Sequence, residues 1–283
     1  MDTRRAGLRA TLHHIGIASP DPAGLAGFYQ RALGLTFDSH DGRWTGAARD
    51  RVLIIKPGAR RQLLFAAYAV QDPGQLTALN SRITAAGMAQ TANPTHLFQA
   101  GAVSVQDPDG NQYVFGMPAG QAAPPATGTA QRRARLQHVV VASPDAERVA
   151  AFFRDVLGFA TSDNVLDAEG RLRTCFLRCS DEHHNFAVFQ AAETSFDHHC
   201  YEAGDWSLIR DWGDHLAAER VRIEWGPGRH GPGNNLFLFI HDPDGNWVEV
   251  SAELELVRPD RPTGSWRHEE RTLNSWGQAP LRS

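Results

Sequence analysis

Seven of the thirteen histidines fall between His183 and His241, and the segment runs into a strand-like stretch ending Trp247-Val248-Glu249. With His138 upstream, these residues can offer two imidazoles and a carboxylate to a divalent metal. Neutral imidazole and carboxylate form the ligand set of a non-haem iron(II) site that keeps positions open for oxygen and substrate. A single histidine is more often a surface or core residue than a ligand, so placement has to decide. The cysteines suggest less chemistry. Cys175, Cys179 and Cys200 make a poor disulfide framework, and the Cys175/Cys179 spacing with no second pair does not suit zinc. Such cysteine usage fits a reducing compartment.

The elements that must position these residues come from an internal duplication. LHHIGIASPDPAGLAGFYQRALGL, from Leu12, returns as LQHVVVASPDAERVAAFFRDVLGF, from Leu136, with 10 of 24 positions identical by direct count. VQDPDGNQYVF from Val105 is echoed by IHDPDGNWVEV from Ile240. Two echoes in one order mark a duplicated module. Each copy reads as a strand (Leu12–Ala18, Leu136–Ala142), then Ser-Pro-Asp opening a helix (Ala23–Leu33, Ala146–Leu157) that stops at Gly34 or Gly158. Strands are expected at Val52–Lys56, Gln62–Tyr68, Arg173–Arg178, Asn185–Gln190 and His198–Tyr201, and second helices at Gln75–Ala86 and Ser207–Glu219. Each copy closes as strand, Asp-Pro-Asp-Gly-Asn turn, strand. The expected fold is α+β, two tandem βαβββ modules at 1–118 and 136–258, with a linker at 119–135 and a tail at 259–283. That tail, with Trp266 and Trp276, could close over the second module or dock on a neighbouring subunit.

The copies differ where chemistry would sit. His14 and His138 are equivalent, but the closing strand carries Val114 in the first copy and Glu249 in the second. Gln62–Tyr68 has no histidine, whereas its counterpart has His198 and His199. A metal is therefore expected in the second module only, with His14 packed or at the surface. On the last strand Trp247, Glu249 and Ser251 share one face and Val248 and Val250 the other. With the valines under the second helix, Glu249 points inward, where an unpartnered carboxylate would be costly. Phe186, Trp206, Phe237, Phe239 and Trp247 are candidates for apolar walls, although aromatics on strands commonly fill cores.

Length and charge bound the rest. A chain of 283 residues suits two domains, each with its own core. A net charge of −4 argues against a nucleic-acid or anionic-membrane partner, since either would want a basic patch. No run approaches a membrane span, and no apolar stretch follows the arginines of MDTRRAGLRA, so a cytoplasmic protein is expected.

The arrangement resembles the vicinal oxygen chelate superfamily, whose paired βαβββ modules curl into a cup around a metal. The second module resembles, more narrowly, the type I extradiol ring-cleavage dioxygenases such as catechol 2,3-dioxygenase and 2,3-dihydroxybiphenyl 1,2-dioxygenase. The match rests on His138 in LQHVVV, on His184 and His199 at a spacing of fifteen, and on GRHGPGNNLFLFIHDPDGNWVEV. It implies His138, His199 and Glu249 as ligands of Fe(II), or less readily Mn(II). It further implies His184 as acid–base catalyst and His230 as a contact to substrate or oxygen. His183 could replace His184 and His198 could replace His199, because each is doubled and a one-residue slip reverses the strand face. The family's usual tyrosine nine residues after the signature histidine is Phe239 here, with Tyr201 or His241 as possible substitute donors.

The expected reaction is extradiol cleavage of a catecholic substrate with both atoms of O2 incorporated, by an enzyme that assembles as a homo-oligomer. A metal-dependent isomerase or lyase of the glyoxalase type is the first alternative. It typically draws ligands, including two carboxylates, from two modules, which Val114 disfavours. A metal-free binding protein of the bleomycin-resistance type is the second. Neither monocyclic nor larger diols are singled out.

Overall fold

The structure is a computed structural model, and it describes residues 7–120 and 132–281. The expected linker lies largely outside these residues. The first half runs β1 (Ala10–Ser19), α1 (Pro22–Leu33), β2 (Thr36–His40), β3 (Arg43–Ala48), β4 (Arg51–Pro57), β5 (Leu63–Val70), α2 (Pro73–Ala85), β6 (Val103–Gln106) and β7 (Gln112–Gly116). The second half repeats the order as β8 (Arg135–Ser143), α3 (Ala146–Ala151), β9 (Ala160–Leu166), β10 (Leu172–Arg178), β11 (Phe186–Gln190), β12 (Ser195–Gly204) and α4 (Trp206–Ala218). It then adds β13 (Ile223–Arg229) before the closing pair β14 (Leu236–His241) and β15 (Trp247–Ala252). The tail contributes β16 (Gly264–Arg267) and a short α5 (Glu270–Leu273).

Two mixed sheets result, ordered β2-β3-β4-β1-β5-β7-β6 and β13-β14-β15-β12-β8-β11-β10-β9-β16. The duplication is explicit in the pairings: β1 is parallel to β4 and antiparallel to β5, and β8 is parallel to β11 and antiparallel to β12. The βαβββ modules expected from the sequence are thus present, and the expected helices and strands agree to within a few residues. Five strands escaped the pattern reading: β2, β3, β9, β13 and β16. β2 has no sustained alternation of burial, and β16 becomes a strand only by pairing with β9. The α3 helix does not continue to Leu157 as one α-helix, because residues Phe152–Leu157 form a π-helical turn.

Local chemistry explains the punctuation. Asp21 and Asp145 are the N-caps, their carboxylates accepting from the backbone of Gly24 and Arg148, so the aspartate of Ser-Pro-Asp opens each helix. Gly34 and Gly158 end the helices at φ of 67° and 84°, a left-handed conformation that costs a residue with a Cβ. In each Asp-Pro-Asp-Gly-Asn turn the first aspartate gathers the loop. Asp242 accepts from the backbone of Asp244 and Asn246 and from Asn246 Nδ2, and Asp107 repeats the set with Asp109 and Asn111.

The modules share one continuous apolar core that runs from β1 and α1 through α3 to β15, with Val248 and Val250 packed among Ile209, Trp212 and Leu216 of α4. A pseudo-symmetric exchange joins the halves. Arg82 at the end of α2 donates to the carbonyls of Val156 and Leu157, while His215 on α4 meets those of Arg31 and Ala32. Each module thereby satisfies carbonyls at the C-terminal end of the other's first helix.

Candidate metal centre and its cup

On β8, β12 and β15 the face is decided by pairing. Cys200 lies opposite His138 on one side and Glu249 on the other. Residues two apart share a face, so His198 and Cys200 turn with His138 and Glu249 into the cup. His199 pairs instead with Val139 and Val248, both core residues. The sequence expectation of His199 as the metal-facing histidine is therefore corrected: His198 occupies that position. A histidine pair on a strand places one ring on each face, and spacing alone cannot choose between them.

His138, His198 and Glu249 form a cluster whose ligand atoms all lie within 4.8 Å of one another. His138 Nε2 stands 3.2 Å from His198 Nε2 and 3.2 Å from Glu249 Oε2; His198 Nε2 is 3.4 Å from that same oxygen. The other ring nitrogens are committed. His138 Nδ1 donates to Gln137 Oε1 and His198 Nδ1 to Asp197 Oδ1, both at 2.5 Å. In their neutral tautomers the two imidazoles therefore aim Nε2 lone pairs at each other and at a carboxylate. Such a convergence suits a cation, with Gln137 and Asp197 orienting the rings.

Burial shapes the charges. Glu249 is 1 % exposed, and burial disfavours its anion. His138, His198 and His230 outweigh that and hold the carboxyl well below its usual range. His198 is lowered by burial and raised more strongly by Asp197 and Glu249, for a net upward shift. Burial lowers His138 despite Glu249. Asn235 Nδ2 donates to Glu249 Oε1 at 3.2 Å.

Two further histidines face the cup, as expected. The His184 ring lies 4.4 Å, centre to centre, from that of His138. Its Nδ1 is 3.0 Å from His183 Nδ1, so Nε2 is the nitrogen left for the cup. Burial, then the neighbouring His138 and His183, keep it neutral, well below its ordinary value. His183 turns away, with Nε2 3.0 Å from Asp163 Oδ2. His230 donates through Nδ1 to the Leu273 carbonyl, stacks on Phe237 at 4.0 Å, and holds Nε2 3.6 Å from Glu249 Oε1.

The walls are Val140, Phe176, Phe189, Trp225, Pro232, Phe239, Thr272 and Leu273. Phe239 is thus placed as expected, but several other candidates are not. Phe186 pairs with Val139 and stacks on Phe153 at 3.7 Å in the core; Ala187 and Phe189 have the opposite face. Tyr201 shares the face of His199 and is fully buried away from the cup, so it cannot replace the missing tyrosine hydroxyl. His241 is exposed and packs its ring 3.9 Å from that of Trp247 at the strand end; neither lines the cup. Trp206 is exposed against Trp276.

Asp197, Gln137, Asn235, Trp225 and the tail residues Thr272 and Leu273 were missed. Asp197, next to the histidine pair, was the legible one: a carboxylate beside a ligand imidazole is a common orienting partner. The tail gave no signal, because its place depends on β16 pairing with β9 and on Gly231 N donating to the Thr272 carbonyl.

The first module has the same architecture with a filled interior. Phe65 occupies the place of His198 and Val114 that of Glu249, and both pack with Ile54, Ala67 and Phe98. His14 is buried between Phe65 and Phe98, with Nε2 2.7 Å from Thr95 Oγ1.

Residues 135–250 match the model of the Glyoxalase/Bleomycin resistance protein/Dioxygenase superfamily. Metapyrocatechase 2 of Cupriavidus necator is 25% identical, over 78% of this chain and 73% of that protein. Biphenyl-2,3-diol 1,2-dioxygenase of Paraburkholderia xenovorans (strain LB400) is 26% identical over 96% of each. Among solved structures, the Mn(II)-bound glyoxalase from Novosphingobium aromaticivorans superposes with a TM-score of 0.82 at 24% identity, over 96% of this chain and 91% of that one. The chain thus carries the vicinal oxygen chelate fold, with residues 135–250 as the part that matches the Glyoxalase/Bleomycin resistance protein/Dioxygenase superfamily model.

Proposed function

We propose that this protein is a metal-dependent extradiol dioxygenase that cleaves a catecholic ring beside its diol and incorporates both atoms of O2. The observation that carries this is the convergence of His138, His198 and Glu249 at the base of an apolar cup, with His184 and His230 beside them. The similarity to two diol-cleaving relatives points the same way. The three donors would hold Fe(II) in preference to Mn(II), leaving sites for two substrate oxygens and O2. Bound there, the metal supplies Lewis acidity that favours the deprotonated diol.

The chain's own residues have separable tasks. His184, neutral and with Nε2 toward the cup, accepts a proton from the diol and returns it to a developing oxyanion later. His230, fixed through Nδ1 by the Leu273 carbonyl, turns Nε2 toward the same region and hydrogen-bonds the substrate or the oxygen-derived anion. Phe176, Phe189, Trp225 and Phe239 hold the ring and exclude water, which strengthens each of these polar contacts. Phe239 keeps the aromatic wall without a hydroxyl, so proton handling rests on the two histidines. A glyoxalase-type reaction drawing ligands from both modules is disfavoured by Phe65 and Val114 at the matching positions of the first.

Oxygen uptake by Fe(II)-loaded protein supplied with catechol or 2,3-dihydroxybiphenyl tests the proposal. Stoichiometric uptake with a new yellow absorption band is expected. His184→Ala should keep its metal and turn over roughly 10²–10⁴-fold more slowly. A fully metallated protein that consumes no oxygen with either diol would sink the proposal.

A further inference from the structure

We infer that the cup selects an uncharged aromatic diol and rejects diols that carry a carboxylate; this rests on the diol-cleaving function proposed above. The lining is divided into two ends. All of its titratable groups, His138, His184, His198, His230 and Glu249, stand around the candidate metal centre, and the rest of the wall is Val140, Phe176, Phe189, Trp225, Pro232, Phe239, Thr272 and Leu273. Among the described residues, no lysine or arginine lines it.

The two polar side chains in that wall are already committed. Thr272 Oγ1 donates to the Arg267 carbonyl, and Trp225 Nε1 donates to the Gln278 carbonyl. Trp225 also stacks on Phe239 at 5.1 Å. A diol chelated at the polar end must direct its ring substituents along this wall. An alkyl or aryl group there replaces water with apolar contact. A carboxylate there would lose its hydration and find neither a cation nor a free side-chain donor, and an unpaired buried charge is among the costliest arrangements in a protein.

The test compares two ligands of one shape: 3,4-dihydroxyphenylacetate and its methyl ester. Binding to the Fe(II)-loaded protein is measured calorimetrically under argon, so that affinity is read without turnover. The ester should bind about 100-fold more tightly than the acid, an order of magnitude suited to an unpaired charge in an apolar site. Leu273→Arg, which places a guanidinium on the wall, should narrow that ratio to below about 10-fold by pairing the carboxylate. Equal affinity of the wild-type protein for acid and ester would overturn the inference and leave the dioxygenase proposal standing. So would an unchanged ratio in a folded Leu273→Arg protein. Failure of either ligand to bind metallated protein, with catechol also failing, would overturn both.

Discussion

The neighbouring residues His198 and His199 share one chemistry and have opposite fates. His198 is held by Asp197 with its Nε2 among the candidate ligands. His199 lies in the core, its Nε2 3.3 Å from the Tyr29 hydroxyl and its ring stacked on Phe196; burial pushes it down to about 3, so it is neutral near pH 7. Single substitutions should separate them. His198→Ala is expected to lose bound metal, whereas His199→Ala should keep near-stoichiometric metal and lose about 2–4 kcal/mol of stability from a core deletion. Metal analysis of the purified variants, with denaturant titration alongside, gives both readings. Metal retained in His198→Ala and lost in His199→Ala would reverse the assignment.

At the scale of elements, one buried carboxylate fastens the tail to the second sheet. Asp163 on β9 accepts from Arg261 Nη1 at 2.8 Å, Trp266 Nε1 at 2.7 Å and the Gly264 backbone at 3.1 Å, and lies beside His183 Nε2. It thereby secures β16 and, beyond it, the Thr272 and Leu273 that complete the cup. Burial opposes the charge, but His183 and Arg261 lead the contacts that hold this carboxyl well below its ordinary value. A depressed carboxyl pKa contributes stability that is whole above the unfolded value, near ~3.9, and is lost as pH falls through the folded one. Wild-type stability should therefore decline more steeply below about pH 4 than that of Asp163→Asn. At neutral pH the variant should be less stable by about 2–4 kcal/mol, since a buried charge network loses one partner. Thermal unfolding across pH 2.5–7 checks the sign, and parallel curves would remove Asp163 from the account.

Across the whole molecule, the first module supports the second through buried polar contacts as well as apolar packing. Tyr29 of α1 donates to Asp242 Oδ2 at 2.8 Å, tying the first module's helix to the turn that launches β15 and thus Glu249. Burial, then Asp242, raises the Tyr29 hydroxyl well above its ordinary value, so it stays a donor. Tyr29→Phe should lower global stability by about 2–3 kcal/mol, since Asp242 keeps other donors but the buried His199 Nε2 loses the same hydroxyl. Metal content should be unchanged. Urea titration measures the first and metal analysis the second; a loss of metal would show that the turn sets ligand geometry more tightly than the remaining bonds to Asn246 imply.

Much of this protein could be read along the chain. The duplicated strand and helix, the Asp-Pro-Asp-Gly-Asn turns and the glycine stops are local in cause, since each depends on capping, φ or period among residues a few positions apart. The inward face of Glu249 followed from Val248 and Val250 for the same reason. The choice of His198 over His199, the burial of Phe186 and Tyr201 on the core side, and the walls formed by Trp225 and Leu273 were settled only by tertiary structure. Strand register, a β-bulge near Asp197 and the docking of a distant tail join residues far apart in sequence, and no local period encodes which partner a strand will take.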